Sequence, residues 1–154
     1  MKKSDLHHRR ALVLLSILTG LMVAFIWSNS CLSREESGAQ SGRITAFLLG
    51  ILDPNGRIPV ENFHHFVRKM AHFTEFALLG LLMGGLFRRI GLLTGKTLRS
   101  LPVLLVLLVA VADEYIQFFT GRGSMVTDVV LDFSGALFGL LMVRCLALGK
   151  KRRH

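Results

Sequence analysis

The sequence predicts an all-α integral membrane bundle of four transmembrane helices with a short amphipathic helix in its outer loop. Three observations predict it. Of 154 residues, 51% are hydrophobic and only 19% charged, with three prolines and a mean hydropathy of +0.51. The apolar residues collect in blocks of roughly 20, the length needed to cross about 30 Å of hydrocarbon. The basic residues stand mostly at the ends of those blocks. The length bounds the chain to one domain, spanning 1–154. An ordinary soluble enzyme and a disordered chain are excluded by the apolar blocks. A disulfide scaffold is excluded by the presence of only Cys31 and Cys145.

The first span is 11–30, nearly free of polar groups, with Trp27 at an interface. Ser28-Asn29-Ser30 resembles a signal-peptide cleavage site, yet the apolar run is longer than a usual signal core, which favours a retained helix. In the loop 31–70, Ile44, Phe47, Leu48, Ile51 and Leu52 fall at helical spacing, predicting a short helix on or dipping into the outer face. Asp53-Pro54-Asn55-Gly56 is a turn signal. Pro59 suits the first turn of a helix that continues through Phe63, Phe66 and Met70 into the second span, 71–87. Spans three and four cover 101–119 and 126–148. The connection between them, 120–125, is so short that these two helices must be antiparallel neighbours. Gly80 with Gly84, and Gly135 with Gly139, are small-residue pairs one turn apart that let helices approach closely. Gly121 and Gly123 flank Arg122 in a tight turn whose backbone N–H groups are suited to an anion.

Charge predicts the orientation. Lys2, Lys3, Arg9 and Arg10 precede span one; Arg88, Arg89, Lys96 and Arg99 fill the second loop; Lys150, Lys151, Arg152 and Arg153 follow span four. The loop 31–70 instead spreads five Lys or Arg among acids, and the 120–125 turn holds only Arg122. Both termini are therefore expected in the cytoplasm. A net charge of +9 would suggest nucleic acid for a soluble domain. Here it serves membrane anchoring, and there is no basic face interleaved with aromatics, so no nucleic-acid partner is expected. On this topology the two cysteines lie near opposite faces and cannot form an intramolecular disulfide.

The informative residues are ionisable groups within or at the lip of the spans. Arg68, His72 and Glu75 recur at i, i+4 and i+7 and share a helix face, with Lys69 beside them. Span three carries Asp113, Glu114 and Gln117; span four carries Asp128 and Asp132 one turn apart. At 1.5 Å per residue, Glu114 lies about 8 Å below Phe119, Asp132 about 9 Å below Val126, and Glu75 about 6 Å below Ala71. Carboxylates from three helices thus reach a similar level in the outer third of the membrane, where each would cost at least a few kcal/mol if it faced lipid. They should face one another, in a polar cluster that opens outward. Arg68, Lys69 and Arg122 supply three fixed positive charges against the five carboxylates Glu75, Asp113, Glu114, Asp128 and Asp132. A purely structural network would sit closer to balance, and the surplus favours a shared proton, a bound cation or a cationic ligand group. The spans hold no HExxH and no second clustered histidine, so no metal site is assigned; a divalent cation such as Mg or Ca bridging carboxylates stays an open alternative, ahead of zinc, and the cofactor is unknown.

Three strings stand out together: Arg68-Lys69-x-x-His72-Phe73-x-Glu75-Phe76 with Gly80; Asp113-Glu114-x-x-Gln117-x-Phe119; and Gly121-Arg122 followed by Asp128, Gly135 and Gly139. In this order, with Trp27 ending span one, they resemble the VanZ-like membrane protein family over about residues 11–145. The resemblance implies a bacterial cell-envelope membrane protein. The family's namesake is associated with resistance to the glycopeptide teicoplanin, which acts on cell-wall precursors outside the membrane. It implies no assigned reaction.

The function expected is binding or processing of an outer-leaflet lipid or cell-wall-related molecule, with the bilayer as the standing partner. His72, Glu75, Asp113 and Glu114 are the candidate acid/base groups; Arg68, Lys69, Gln117, Arg122, Asp128 and Asp132 are the candidate substrate-binding groups. A non-catalytic accessory protein and a small proton-coupled transporter are the alternatives, the latter with little machinery and no broken-helix pair. Substrate, oligomeric state and the existence of a reaction are not legible in the sequence.

Overall fold

The computed structural model describes residues 3–53, 55–96, 98–123 and 125–151. Lys2, Arg152, Arg153, His154, Pro54 of the turn and Ser124 after Arg122 lie outside the described residues, as do the side chains of Lys3, His7, Lys150 and Lys151. The described residues form five helices and no strand: α1 (Lys3–Ser30), α2 (Arg34–Leu52), α3 (Val60–Thr94), α4 (Ser100–Phe119) and α5 (Val126–Lys151). Four segments are long and apolar enough to cross a membrane: His8–Ser30, Val60–Thr94, Ser100–Phe119 and Val126–Gly149.

The helix expected within loop 31–70 is present as α2, longer than the apolar spacing implied. It starts at Arg34 because Ser33 and Glu36 close a capping box, the Ser33 hydroxyl accepting from the Glu36 amide while the Glu36 carboxylate accepts from the Ser33 amide. Those bonds from Ser33 hold the exposed Glu36 carboxyl below its usual range. Ile44, Phe47, Ile51 and Leu52 all stay exposed on α2. The helix is held to α3 by Ser41, whose hydroxyl lies 2.6 Å from the His64 ring nitrogen.

Pro59 caps α3, as its position foretold, and the helix then runs unbroken for 35 residues. At 1.5 Å per residue that is about 52 Å, well beyond a bilayer core, and its first turns lie beside α2. α3 and α5 form the most extensive helix pair. A Cβ on Gly80 would overlap the Ala136 carbonyl oxygen; one on Gly135 would overlap that of Phe73, and one on Gly139 that of Ala77. The two backbones therefore touch, which only glycine allows at these positions. Gly84 is packed less tightly, its nearest neighbour being the Val143 side chain.

The remaining interior is small. Ile26 of α1, Phe76, Leu79 and Met83 of α3, Val106 and Ala110 of α4, and Ala136 of α5 make one buried cluster. Most other large apolar side chains, such as Leu14, Leu21, Leu104, Leu108 and Leu141, are exposed on the helix flanks. This is the distribution of a bundle solvated by lipid. At the end away from Arg122, an Arg89 guanidinium nitrogen lies 2.7 Å from a His8 ring nitrogen, tying α3 to α1. Cys31 and Cys145 are both free thiols.

Candidate functional site

The site begins with a turn. α4 ends at Phe119, and Gly121 then takes a left-handed φ of 70°. The Arg122 amide donates back to the Gln117 carbonyl oxygen at 3.2 Å, a six-to-one closure that folds the chain over the helix end. Gly123, also at positive φ, completes the reversal into α5. Arg34 at the start of α2 donates to the Gly121 carbonyl oxygen and braces the turn. The consequence is that Arg122 points back into the bundle and is only 7% exposed.

The Arg122 guanidinium donates through Nη1 to the Asn29 carbonyl oxygen at 2.9 Å, while its buried Nε has no hydrogen-bond partner. Burial, and next the Arg68 charge, push the guanidinium below its usual value; Asp113, Glu114 and Glu75 oppose the shift. An arginine stays protonated through such a shift. It is a buried, permanent positive charge with an unused donor.

Below it lie the carboxylates. Asp113 is wholly buried and accepts from the Ser30 hydroxyl at 2.6 Å and from the Gln117 amide at 2.7 Å. Asp132, 1% exposed, has no hydrogen bond to either carboxylate oxygen. His72 of α3 faces both, its Nδ1 lying 4.0 Å from Asp113 and 3.7 Å from Asp132. Glu114, one position along α4 from Asp113, turns about 100° away around the helix and accepts from the Met125 amide at 3.0 Å, just ahead of α5. At the rim, Lys69 and Asp128 form a partly exposed ion pair at 3.7 Å.

These groups border a cleft of about 70 Å³ whose walls include Arg68, Lys69, His72, Glu114, Gln117, Arg122, Asp128 and Asp132, with the exposed His65 at its mouth. The structure thus brings eight of the ten sequence-predicted residues to one cleft. Asp113 lies behind the wall, reaching His72 from the α1 side. Glu75 is the exception: its carboxylate accepts from the Asn29 side chain of α1 at 3.3 Å and does not border the cleft. The i+3 step from His72 rotates Glu75 by about 60°, enough to present it to a different neighbour.

Sequence reasoning missed Asn29 and Ser30. Both looked like the polar end of an apolar span, yet Ser30 is 1% exposed and Asn29 contacts Glu75 and Arg122. Thr120 adds a third tie, its hydroxyl donating to the Ser30 carbonyl oxygen. The available signal was the polar Ser28-Asn29-Ser30 tripeptide directly after an apolar run, which carries its meaning only when α4 is placed beside it.

Chemically, the cleft combines a buried cation whose Nε lacks an acceptor with a buried carboxylate that lacks a donor. A family model described as VanZ/LLP1 matches residues 13–147, a range that contains every one of these side chains. No curated protein and no solved structure matches the chain.

Proposed function

Since the chain belongs to the VanZ/LLP1 family and is a multi-pass membrane protein, we propose that it binds or processes an amphiphile of the outer leaflet, a lipid or lipid-linked wall precursor, by its anionic headgroup. The observation that carries this reading is Arg122, a residue that lines the cleft and whose buried Nε has nothing to donate to. Leaving such a group unsatisfied is costly, and an anionic oxygen relieves it. Arg68 at the same wall adds positive charge where a phosphate or carboxylate would enter.

The size of the cleft decides between ligand types. Whole small-molecule ligands occupy sites of roughly 300–1,000 Å³, whereas this one is about 70 Å³. It accepts the tip of a longer molecule whose remainder lies in lipid or above it. On the positive-inside argument the cleft faces outward and both termini are cytoplasmic. If chemistry occurs, Glu114 and His72 are the groups at the wall suited to move a proton. A changed pool of lipid or wall precursor is the route by which such a protein would alter glycopeptide susceptibility.

Native mass spectrometry of the purified full chain, after exposure to a total membrane lipid extract, tests the proposal. An anionic amphiphile should remain bound to the wild type and be reduced at least tenfold in Arg122→Gln. Equal lipid occupancy in both proteins would overturn the reading. Comparison of lipid and wall-precursor profiles in cells with and without the protein then identifies the class of molecule.

A further inference from the structure

His72, Asp113 and Asp132 come from three different helices, α3, α4 and α5, and each offers one donor atom to a common point. His72 Nδ1 and one oxygen of each carboxylate all lie within 4.8 Å of one another. We propose that these three side chains hold a divalent cation, of the zinc or manganese type, at the floor of the cleft. The inference concerns the same cleft as the headgroup reading and refines it, because a cation there would be a second partner for an anionic headgroup; it does not require that reading.

Charge balance is the first argument. Two buried carboxylates share one face, and among the described residues no Lys or Arg nitrogen lies within 4 Å of either. Of the nearby cations, Lys69 pairs with Asp128, and neither Arg122, which donates through Nη1 to the Asn29 carbonyl, nor Arg68 comes within ion-pair distance of Asp113 or Asp132. Burying unmatched carboxylates is costly. A dication with a neutral imidazole cancels two negative charges in full.

The second argument is the unpartnered Asp132. Both of its oxygens are buried and neither has a hydrogen bond. A proton on Asp132 would remove the charge, but His72 Nδ1, at 3.7 Å, lies beyond hydrogen-bond distance of the new hydroxyl. A cation satisfies the oxygens directly. Asp113 differs in an informative way: Ser30 and Gln117 donate to its two oxygens and set its orientation. Such second-layer bonds are what hold metal-ligating carboxylates in place.

The donor set selects the ion. One imidazole and two carboxylates suit zinc or manganese, whereas magnesium and calcium favour oxygen alone. The His72 to Asp132 separation of 3.7 Å and the His72 to Asp113 separation of 4.0 Å are slightly wider than the about 3.4 Å between donors on a tetrahedral zinc. Small side-chain rotations close that gap. Three protein ligands leave a position open, the pattern of a reactive rather than a structural centre. Here His72 and Asp132 border the cleft, so the open position faces the ligand space.

The experiment uses the untagged full chain in detergent, stripped with a chelator and free of added lipid. It is incubated with Zn²⁺, Mn²⁺ or Mg²⁺ alone, freed of unbound ion, and its metal content and thermal midpoint are measured. One Zn²⁺ or Mn²⁺ per chain is expected, with a raised midpoint that the chelator reverses. Asp132→Asn and His72→Ala should each weaken binding at least tenfold, and Gln117→Ala about tenfold through Asp113. His64→Ala, whose ring contacts Ser41 instead, should load fully. Absence of stoichiometric binding to the wild type overturns the site, as does equal loading of Asp132→Asn. Binding of Mg²⁺ alone overturns His72 as a ligand. Because the wild type supplies the chelator-reversible midpoint, the result stands even if a variant fails to fold. No lipid is present, so a negative outcome leaves the Arg122 headgroup reading to its own test.

Discussion

Ser30 and Lys69 each contact a carboxylate, but their surroundings make the two contacts unequal. Ser30 is buried and donates to Asp113 at 2.6 Å. Its removal leaves a buried acceptor short of a donor, so Ser30→Ala should destabilise the protein by about 1–3 kcal/mol. Lys69 pairs with Asp128 at 3.7 Å with both side chains partly exposed, and Lys69→Ala should cost about 0–1 kcal/mol. Thermal unfolding of the two variants in the same detergent checks the contrast, and equal midpoints would show that Ser30 does not support Asp113. At this scale the candidate residues were legible because ionisable groups inside apolar spans stand out. Their partners were not: Ser and Asn are common at helix ends, and nothing local marks the ones that a distant carboxylate will use.

Among the elements, the α3–α5 pair sets the geometry of the site, since it brings His72 to within 3.7 Å of Asp132. That approach depends on glycine. Gly139→Ala places a methyl group onto the Ala77 carbonyl and the Leu81 amide, and backbone cannot move aside as a side-chain tip can. An overpacking cost of about 1–3 kcal/mol is expected, together with a wider His72 to Asp132 separation and weaker binding at the cleft. Gly20→Ala, whose added carbon meets no atom of another helix within 4 Å, should leave the thermal midpoint unchanged or slightly raised, alanine being the better helix former. Equal destabilisation by the two would mean that close backbone contact does not govern Gly139, since helix propensity favours alanine at both positions. The small-residue pairs announced this interface in the sequence, since Gly80, Gly135 and Gly139 sit where close packing would need them. The length of α2 was hidden, because its first turns are polar and their signal is the Ser33 to Glu36 capping pattern rather than apolar periodicity.

For the molecule as a whole, charge is divided between the two ends. Nine of the ten carboxylates lie between residues 35 and 132, while thirteen of the nineteen Lys and Arg lie in the termini, the 88–99 loop and Arg144. The positive-inside rule converts this into an orientation. A membrane-impermeant maleimide applied to intact cells should label the native Cys31 in a Cys145→Ser protein. It should not label Lys96→Cys in a chain lacking both native cysteines. Labelling of Lys96→Cys from outside would reverse the orientation and move the cleft to the cytoplasmic face.

The number of spans, their order and the identity of the charged residues that would have to leave lipid were determined by the sequence alone. Each follows from composition along one dimension: apolar length, polar interruption and loop charge. Which charged groups meet was decided only by tertiary packing. Periodicity places His72 and Glu75 on one broad face, but the rotation of α3 against α1, α4 and α5 gives the first to Asp113 and Asp132 and the second to Asn29. That rotation is set by glycine contacts and side-chain interlocking between helices, which no single helix encodes in its own spacing.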